Sequence, residues 1–276
     1  MRRRFVALGI LLAALIGLGF AVAGVRDRGR ERRTPTVVAP PKPFRIVFPE
    51  GFTREDMAAR VKSVAGIAAQ ERGRNPRLAE RTYLAATAGK RLIPGFGRRQ
   101  LEGFLFPATY QFTARTTSAQ LARAQLRAFR KNWGAINLAY ARSKNLTPYD
   151  VLTIASMVER EAQVAKERPL IAAVIYNRLH DHMPLGIDAT IRYALNDWTK
   201  PLRQSQLASP SPYNTRNHKG LPPGPIGNPG LASIQAAAHP KPAKYLYYVA
   251  KPDKIHHFFT TSFHAFEAYK KAHGYG

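Results

Sequence analysis

The chain has no cysteine and is short of acids, with 17 Asp and Glu against 43 Lys and Arg in 276 residues, a formal net charge of +26. Without a thiol there is no disulfide, no cysteine nucleophile, no zinc ribbon and no iron–sulfur ligation. Absence of cysteine leaves the compartment open. The shortage of carboxylates is more restrictive, because any Asp or Glu chemistry beyond residue 100 must draw on ten side chains. No HExxH or comparable spacing marks a metal site among the eight histidines, and His239, His256 and His257 are expected to pack or hydrogen-bond instead. There is no internal repeat, and no RNP, zinc-finger or helix-turn-helix signature accompanies the positive charge. Nucleic acid is therefore not an expected partner. Anionic headgroups or an anionic wall polymer suit the charge equally well, as does plain solubility.

What is present suffices for a globular body. Hydrophobic residues at 45% can bury a core, which excludes wholesale disorder, and the length allows one or two domains. One long apolar run occurs, FVALGILLAALIGLGFAVAGV at 5–25, behind Met1-Arg2-Arg3-Arg4. About 20 such residues at ~1.5 Å each match a hydrocarbon core of about 30 Å. A cleaved signal is the competing reading, because Ala21-Val22-Ala23 resembles a cleavage site, but the apolar stretch is longer than a signal needs. Arg2 to Arg4 precede the run, but Arg26, Arg28, Arg30, Arg32 and Arg33 follow it closely, so the positive-inside rule counted naively favours a cytoplasmic C-terminal side. Residues 26–43, basic and then Pro-rich, read as a tether.

Phe44–Phe48 alternates like a strand, and Thr53 with Asp56 opens a helix reaching about Val64. A second helical pattern spans about 76–89, the turn-rich IPGFG follows at 93–97, and LEGFLFPATYQF at 101–112 is expected to be extended. The order strand, helix, helix, strand suggests a small α+β module. Helical pattern resumes from about Thr117 through Tyr140. Thr147-Pro148-Tyr149-Asp150 places a cap, a first-turn proline and an acid at one helix entrance. That helix is expected to run to about Lys166, with another from Pro169 carrying YNRLH. Residues 208–230 are too rich in Pro, Gly and Asn for regular structure, and a loop that long in a domain is usually functional. YLYYVA (245–250) and HHFFTT (256–261) read as paired strands.

On a helical wheel Val151, Ile154, Ala155, Val158, Ala162 and Ala165 form an apolar stripe. Glu161 lies at its edge and Glu159 on the other flank. A carboxyl beside apolar surface loses solvation and becomes a better proton donor. The bland alternative is that both glutamates are solvated, with Arg160 and Lys166 as surface partners. Two residues apart, they diverge and cannot flank one bond.

ASMVEREA (155–162), VIYNRLHDHMPLGIDATIRYAL (174–195), SPYNTRNHKGLPPGPIGNPGLASIQAAAHP (211–240) and the YLYYVA/HHFFTT pair together resemble the MltG/YceG-like endolytic murein transglycosylases. LEGFLFPATY is similar to the segment joining that family's LysM-like module to its catalytic domain, and the match runs from about residue 44 to the C-terminus. The resemblance implies an α+β protein in five parts. These are a cytoplasmic N-terminus (1–4), a transmembrane helix (5–25), a linker (26–43), a small LysM-like module (44–114) and a mixed α/β catalytic domain (115–276) with a helix-borne glutamate.

The implied enzyme is anchored in the cytoplasmic membrane and works on its outer side. It cleaves the MurNAc-β-1,4-GlcNAc bond within peptidoglycan strands and leaves 1,6-anhydro ends, with no cofactor and no metal. Penicillin-binding synthases are the implied protein partners. A non-catalytic wall-binding scaffold and a hydrolytic muramidase are the alternatives.

The family's acid falls in Glu159-Arg160-Glu161, and Glu161 is the choice here, with Glu159 as the supporting or runner-up residue. Asn177, Arg178, Asp188, Tyr213, Asn214 and Thr215 are the expected substrate-binding residues. Capping or surface pairing is the alternative for Asn177 and Arg178, and turn chemistry for the three loop residues. Leu221-Pro222-Pro223-Gly224 is expected to shape the cleft wall. Two departures stand out: Asp188-Ala189-Thr190 replaces the family's Asp-Pro-Thr, suggesting a less rigid loop there, and the late His-Asn pair is missing. No role is therefore expected after Thr261.

Overall fold

In the computed structural model the described residues are 43–72 and 77–275. The apolar run 5–25 and nearly all of the tether lie outside them. Among the described residues no helix is long and apolar enough to cross a membrane.

Strand β1 (Phe44–Val47) alternates as its sequence predicts, with Ile46 buried while Arg45 and Val47 face out. It pairs antiparallel with β4 (Thr109–Phe112), Phe44 opposite Phe112 and Ile46 opposite Tyr110. Between them lie helix α1 (Arg54–Arg72), helix α2 (Glu80–Thr87) and a hairpin of β2 (Arg91–Ile93) with β3 (Gly97–Arg99). The strand–helix–helix–strand order is as expected; the hairpin is an addition, formed where IPGFG turns. At the start of α1, Thr53 and Asp56 exchange main-chain N–H bonds at 3.0 and 3.1 Å, closing the predicted cap. LEGFLFPATYQF is only partly extended. Residues 101–105 make a turn closed by Phe104 N–H to Leu101 O at 3.0 Å, and Gly103 adopts φ +87° there.

Ile46, Phe48, Met57, Tyr83, Phe104 and Phe129 lie in the first hydrophobic cluster, each worth about 1.5–3 kcal/mol of apolar burial. Phe129 comes from α3 (Ser118–Trp133), which stops at Gly134 instead of continuing to Tyr140. A short α4 (Ala139–Ser143) follows.

Helix α5 (Pro148–Glu161) starts where predicted, with Thr147 and Asp150 capping each other at 2.8 and 3.2 Å. Every residue from Val151 to Val158 is buried, Thr153 and Ser156 included, so the helix is covered on all sides instead of along the expected one-sided stripe. The reason is its central position. Leu152 packs into the first cluster, whereas Ile154, Ala155 and Val158 pack into a second with α6 (Arg168–His180), α7 (Asp188–Leu195) and α9 (Leu231–Ala238). α5 also ends five residues before the expected Lys166. Ala162 turns extended (φ −82°, ψ 120°), and a 3-10 turn at Ala165–Glu167 leads into α6. The segment after Asp188 is helix α7, not a loop, since an alanine early in a first turn is as acceptable as a proline.

The 208–230 segment has a short helix α8 (Gln204–Leu207) before it and is irregular, as expected, yet Gly224 to Gly230 are all buried. Distant residues satisfy its polar groups. Ser156 Oγ accepts Ile226 N–H at 3.0 Å, Asn228 N–H donates to Phe52 O at 2.9 Å, and the Asn228 side-chain Oδ1 accepts Leu105 N–H at 2.8 Å. β5 (Tyr247–Ala250) pairs antiparallel with β6 (His257–Thr260), and α10 (Phe263–Ala272) packs on that hairpin.

Candidate active site

Because α5 ends at Glu161, that side chain sits on the last helical turn, at the rim of the second core. It opens into a cleft of about 1060 Å³. The walls come from the end of α5, from α6, from residues 183–188, from the 204–217 stretch, from the β5–β6 hairpin and from α10. Tyr248 Oη donates to Glu161 Oε2 at 3.0 Å. Burial pushes the Glu161 carboxyl above its usual range; the Tyr248 hydrogen bond and the His257 charge act against this, and the Asp188 charge adds to it. The helix C-terminus, negative by its dipole, is a further reason for this carboxyl to resist ionisation. A carboxylic acid held partly buried, with one oxygen hydrogen-bonded and the other available, can donate a proton to a bound oxygen.

Glu159, two residues earlier, faces elsewhere. Its Oε2 accepts Gly230 N–H at 2.9 Å and its Oε1 lies 3.7 Å from the Arg168 guanidinium, with only 7% of the side chain exposed. Between the two, Arg160 stacks its guanidinium on Trp198 and donates to Gly51 O. Consecutive residues of VEREA thus point to three different neighbourhoods.

The other expected site residues divide sharply. Asp188, the first residue of α7, lines the cleft with Glu161 and is bound by Arg216 Nε at 2.6 Å. The cleft therefore holds a second carboxylate, which helix α5 by itself does not supply. Arg178 also lines it, but its guanidinium is engaged with Leu246 O and Leu185 O, both at 2.6 Å. Asn177 does not line the cleft; its amide donates to Ala243 O and Tyr245 O at 2.8 Å. The YNR segment thus clamps the chain entering β5.

Asn214 and Thr215 are fully buried. Asn214 donates to Leu207 O and Ser209 O, and Thr215 Oγ1 accepts Ile187 N–H at 3.0 Å. Tyr213 packs its ring on Tyr193, centroids 5.0 Å apart, and burial pushes its hydroxyl up to about 12. These three residues fold the loop rather than face the cleft, so the turn-chemistry alternative describes their contacts. Leu221 to Gly224 are also absent from the cleft lining, where Arg216 and Asn217 represent the loop.

Sequence reasoning overlooked Tyr248 and Glu167, and it expected His257 to pack or hydrogen-bond without tying it to the cleft. His257 lines the cleft, and its Nδ1 lies 2.7 Å from the buried Glu167 carboxylate. Phe263, Phe266 and Lys270 reach the cleft from the segment to which no role was given. The only available signal was the tyrosine- and histidine-rich pattern of the two strands, which says nothing about which residue meets Glu161.

Comparison with known proteins agrees with this architecture. The chain is 39% identical over 155 residues to the endolytic murein transglycosylase of Bacillus subtilis, covering 56% of this chain and 43% of that protein. It is 34% identical over 223 residues to the endolytic murein transglycosylase of Streptococcus pneumoniae, covering 74% of this chain and 40% of that one. The chain thus spans about two fifths of the length of these curated relatives. A crystal structure of a yceG-like protein from Listeria monocytogenes superposes with a TM-score of 0.66 at 29% identity, covering 81% of this chain and 75% of that one. With the pattern of the YceG-like family matching residues 32–272, from the tether through α10, the chain belongs to that family.

Proposed function

We propose that this chain is a lytic transglycosylase that cuts peptidoglycan strands internally at the MurNAc-β-1,4-GlcNAc bond, with Glu161 as its acid and then its base. The observation that carries this reading is Glu161 itself, a desolvated carboxyl at a helix end, inside a cleft of about 1060 Å³ and held on one oxygen by Tyr248. The names of the relatives support the substrate class. In the proposed reaction Glu161 protonates the leaving glycosidic oxygen as the muramyl C1–O bond breaks. The N-acetyl oxygen of the same sugar stabilises the cationic carbon. Its C6 hydroxyl then attacks C1 while Glu161 takes up the hydroxyl proton. A tethered nucleophile has an effective concentration far above that of a free one, so no water need enter.

In this reading Asp188 and Arg178 contact or orient glycan. Asn177, Tyr213, Asn214 and Thr215 serve binding by holding the walls in place, and Glu159 supports the helix end. Residues 44–114 form a LysM-like module that retains the strand, and 115–276 form the catalytic domain. Residues 5–25 anchor the protein in the cytoplasmic membrane with 26–276 on the outer side, where intact peptidoglycan is found. Penicillin-binding synthases are the proposed protein partners.

Asp188 favours one rival, hydrolysis, because a second carboxylate in the cleft could activate water. Digestion of purified sacculi in oxygen-18 water separates the two. Unlabelled 1,6-anhydro-MurNAc ends, one water lighter than reducing ends, are expected. Labelled reducing MurNAc ends would make the enzyme a hydrolase, and a folded protein that releases no ends would leave a wall-binding scaffold.

A further inference from the structure

We propose that His257, held by Glu167, is a positioning residue for Glu161 and acts through Tyr248. It fixes the Tyr248 hydroxyl on Oε2, so that the transferable proton resides on Oε1. The inference rests on Glu161 being the acid of the reaction proposed above.

The geometry begins with strand register. Ala250 lies opposite His257 and Tyr248 opposite Phe259, so Tyr248 and His257 are diagonal neighbours on one face of the β5–β6 hairpin. Alanine opposite His257 leaves room for the imidazole to lean toward Tyr248. The two rings meet edge to face, centroids 5.4 Å apart at 86°. Phe259 closes the group, 5.9 Å from the Tyr248 ring and 6.1 Å from that of His257. A phenol packed on two sides has little freedom to swing off its acceptor.

Glu167 supplies the anchor. It is 5% exposed and binds His257 twice, accepting the main-chain N–H at 3.2 Å on Oε1 and facing Nδ1 at 2.7 Å on Oε2. A buried carboxylate is costly unless paired, so this contact fixes both the ring's orientation and the proton on Nδ1. Glu167 also stands at the N-terminus of α6, where a negative charge is favoured. Two stretches distant in sequence, residues 161–167 and the β5–β6 hairpin, thus form the chain Glu167–His257–Tyr248–Glu161.

The charges around Glu161 define what the chain does. From β5 the Tyr248 hydroxyl and from β6 the His257 charge favour the carboxylate, whereas Asp188 on α7 opposes it. Arg178 on α6 acts on Tyr248, Arg216 is occupied by Asp188, and Lys270 lines the cleft from α10. With Oε2 accepting from Tyr248, and no other hydrogen bond to Glu161 among the described residues, Oε1 is the oxygen left for the glycosidic bond.

The test combines His257→Gln, Glu167→Gln and the isosteric Tyr248→Phe, each checked for folding by thermal melting. The carboxyl carbon of Glu161 is titrated by carbon-13 NMR, assigned with Glu161→Gln, and strand cleavage is measured against pH. His257→Gln and Tyr248→Phe each remove a group that favours the carboxylate, and Glu167→Gln releases the His257 ring that does so, so the NMR midpoint should rise by about half a pH unit or more. The alkaline limb of kcat should move up with it, and kcat should fall about tenfold with KM within twofold. An unmoved midpoint in folded His257→Gln or Glu167→Gln overturns the proposal. Should His257→Gln not fold, Tyr248→Phe decides by the same midpoint. A shifted midpoint in a protein that cuts no glycan would uphold the positioning chain and overturn the proposed reaction instead.

Discussion

The carboxylate of Glu159 accepts the main-chain N–H of Gly230 at 2.9 Å, tying the last turn of α5 to the start of α9. The bond joins residues 71 positions apart, and it explains why the first glutamate of VEREA is unavailable to the cleft. Gly230 is buried, and its N–H would otherwise lack a partner. One glutamate builds the helix end that the other uses.

Exchanging the two glutamates should therefore separate stability from activity. Glu161→Gln is expected to lower strand cleavage by about 10²–10⁴-fold at an unchanged melting temperature. Glu159→Ala should cost about 1–3 kcal/mol by urea unfolding, because it orphans a buried N–H, while Glu159→Gln keeps an acceptor and most of the activity. If Glu159→Gln proves the inactive one, the acid has been misassigned.

Gly103 should not accept alanine. Its φ of +87° is left-handed, and a Cβ there would lie 2.6 Å from Pro225 Cγ. Strain and overpacking together predict a loss of about 2–4 kcal/mol in Gly103→Ala. A loss under about 0.5 kcal/mol by the same unfolding assay would mean the LEGF turn and the PPGPI loop separate easily.

Glu102 predicts how stability varies with pH. Its buried carboxyl lies between α1, Asn228 and Tyr193, and burial pushes it up to about 8 despite the Arg54 N–H bonds. An ordinary carboxyl ionises near 4.5. Between these values the native state holds a proton that the unfolded chain has released, so stability falls as pH rises from about 4.5 to about 8. Below that window the contribution is fully present. Glu102→Gln should flatten this slope, by a few kcal/mol across the window, in chemical unfolding at pH 5 and pH 8. A variant with the wild-type slope would clear Glu102 of the effect.

Asp188→Asn tests the second carboxylate of the cleft. Removing a charge that opposes ionisation of Glu161 should move the alkaline limb of kcat to lower pH, opposite in sign to His257→Gln. The Asp188–Arg216 pair is half-exposed, so its loss should cost only about 0–1 kcal/mol. Anhydro ends should still form; their disappearance with activity retained would point to a water-activating role.

Much of the fold was legible because its signals are local. The caps Thr53–Asp56 and Thr147–Asp150 are contacts three residues apart, and the alternation of Phe44–Val47 and the two C-terminal strands follows a period of two. The end of α5 was misplaced because nothing local stops it. Ala162 to Lys166 would suit a helix, and only packing in the second core turns Ala162 extended and leaves Glu161 at the terminus. The Pro- and Gly-rich loop was recognised as irregular, but not as buried, since its hydrogen-bond partners Ser156 and Leu105 lie 70 and 123 positions away.

The sequence by itself determined the family pattern, the helix bearing the two glutamates and their divergence, because helical geometry fixes the angle between residues 159 and 161. The tertiary structure alone decided which polar groups are available. Asn177, Asn214 and Thr215 look like sugar-binding residues, yet their hydrogen-bonding groups are taken up by backbone, that of distant segments for Asn177 and Thr215 and that of the start of its own loop for Asn214. Tyr248, His257 and Glu167 look like ordinary strand and turn residues, yet they form a chain of contacts that ends on Glu161. The physical reason is that a buried polar group must be satisfied wherever the chain returns to it, and that return is set by the packing of the two cores, not by any spacing along the chain.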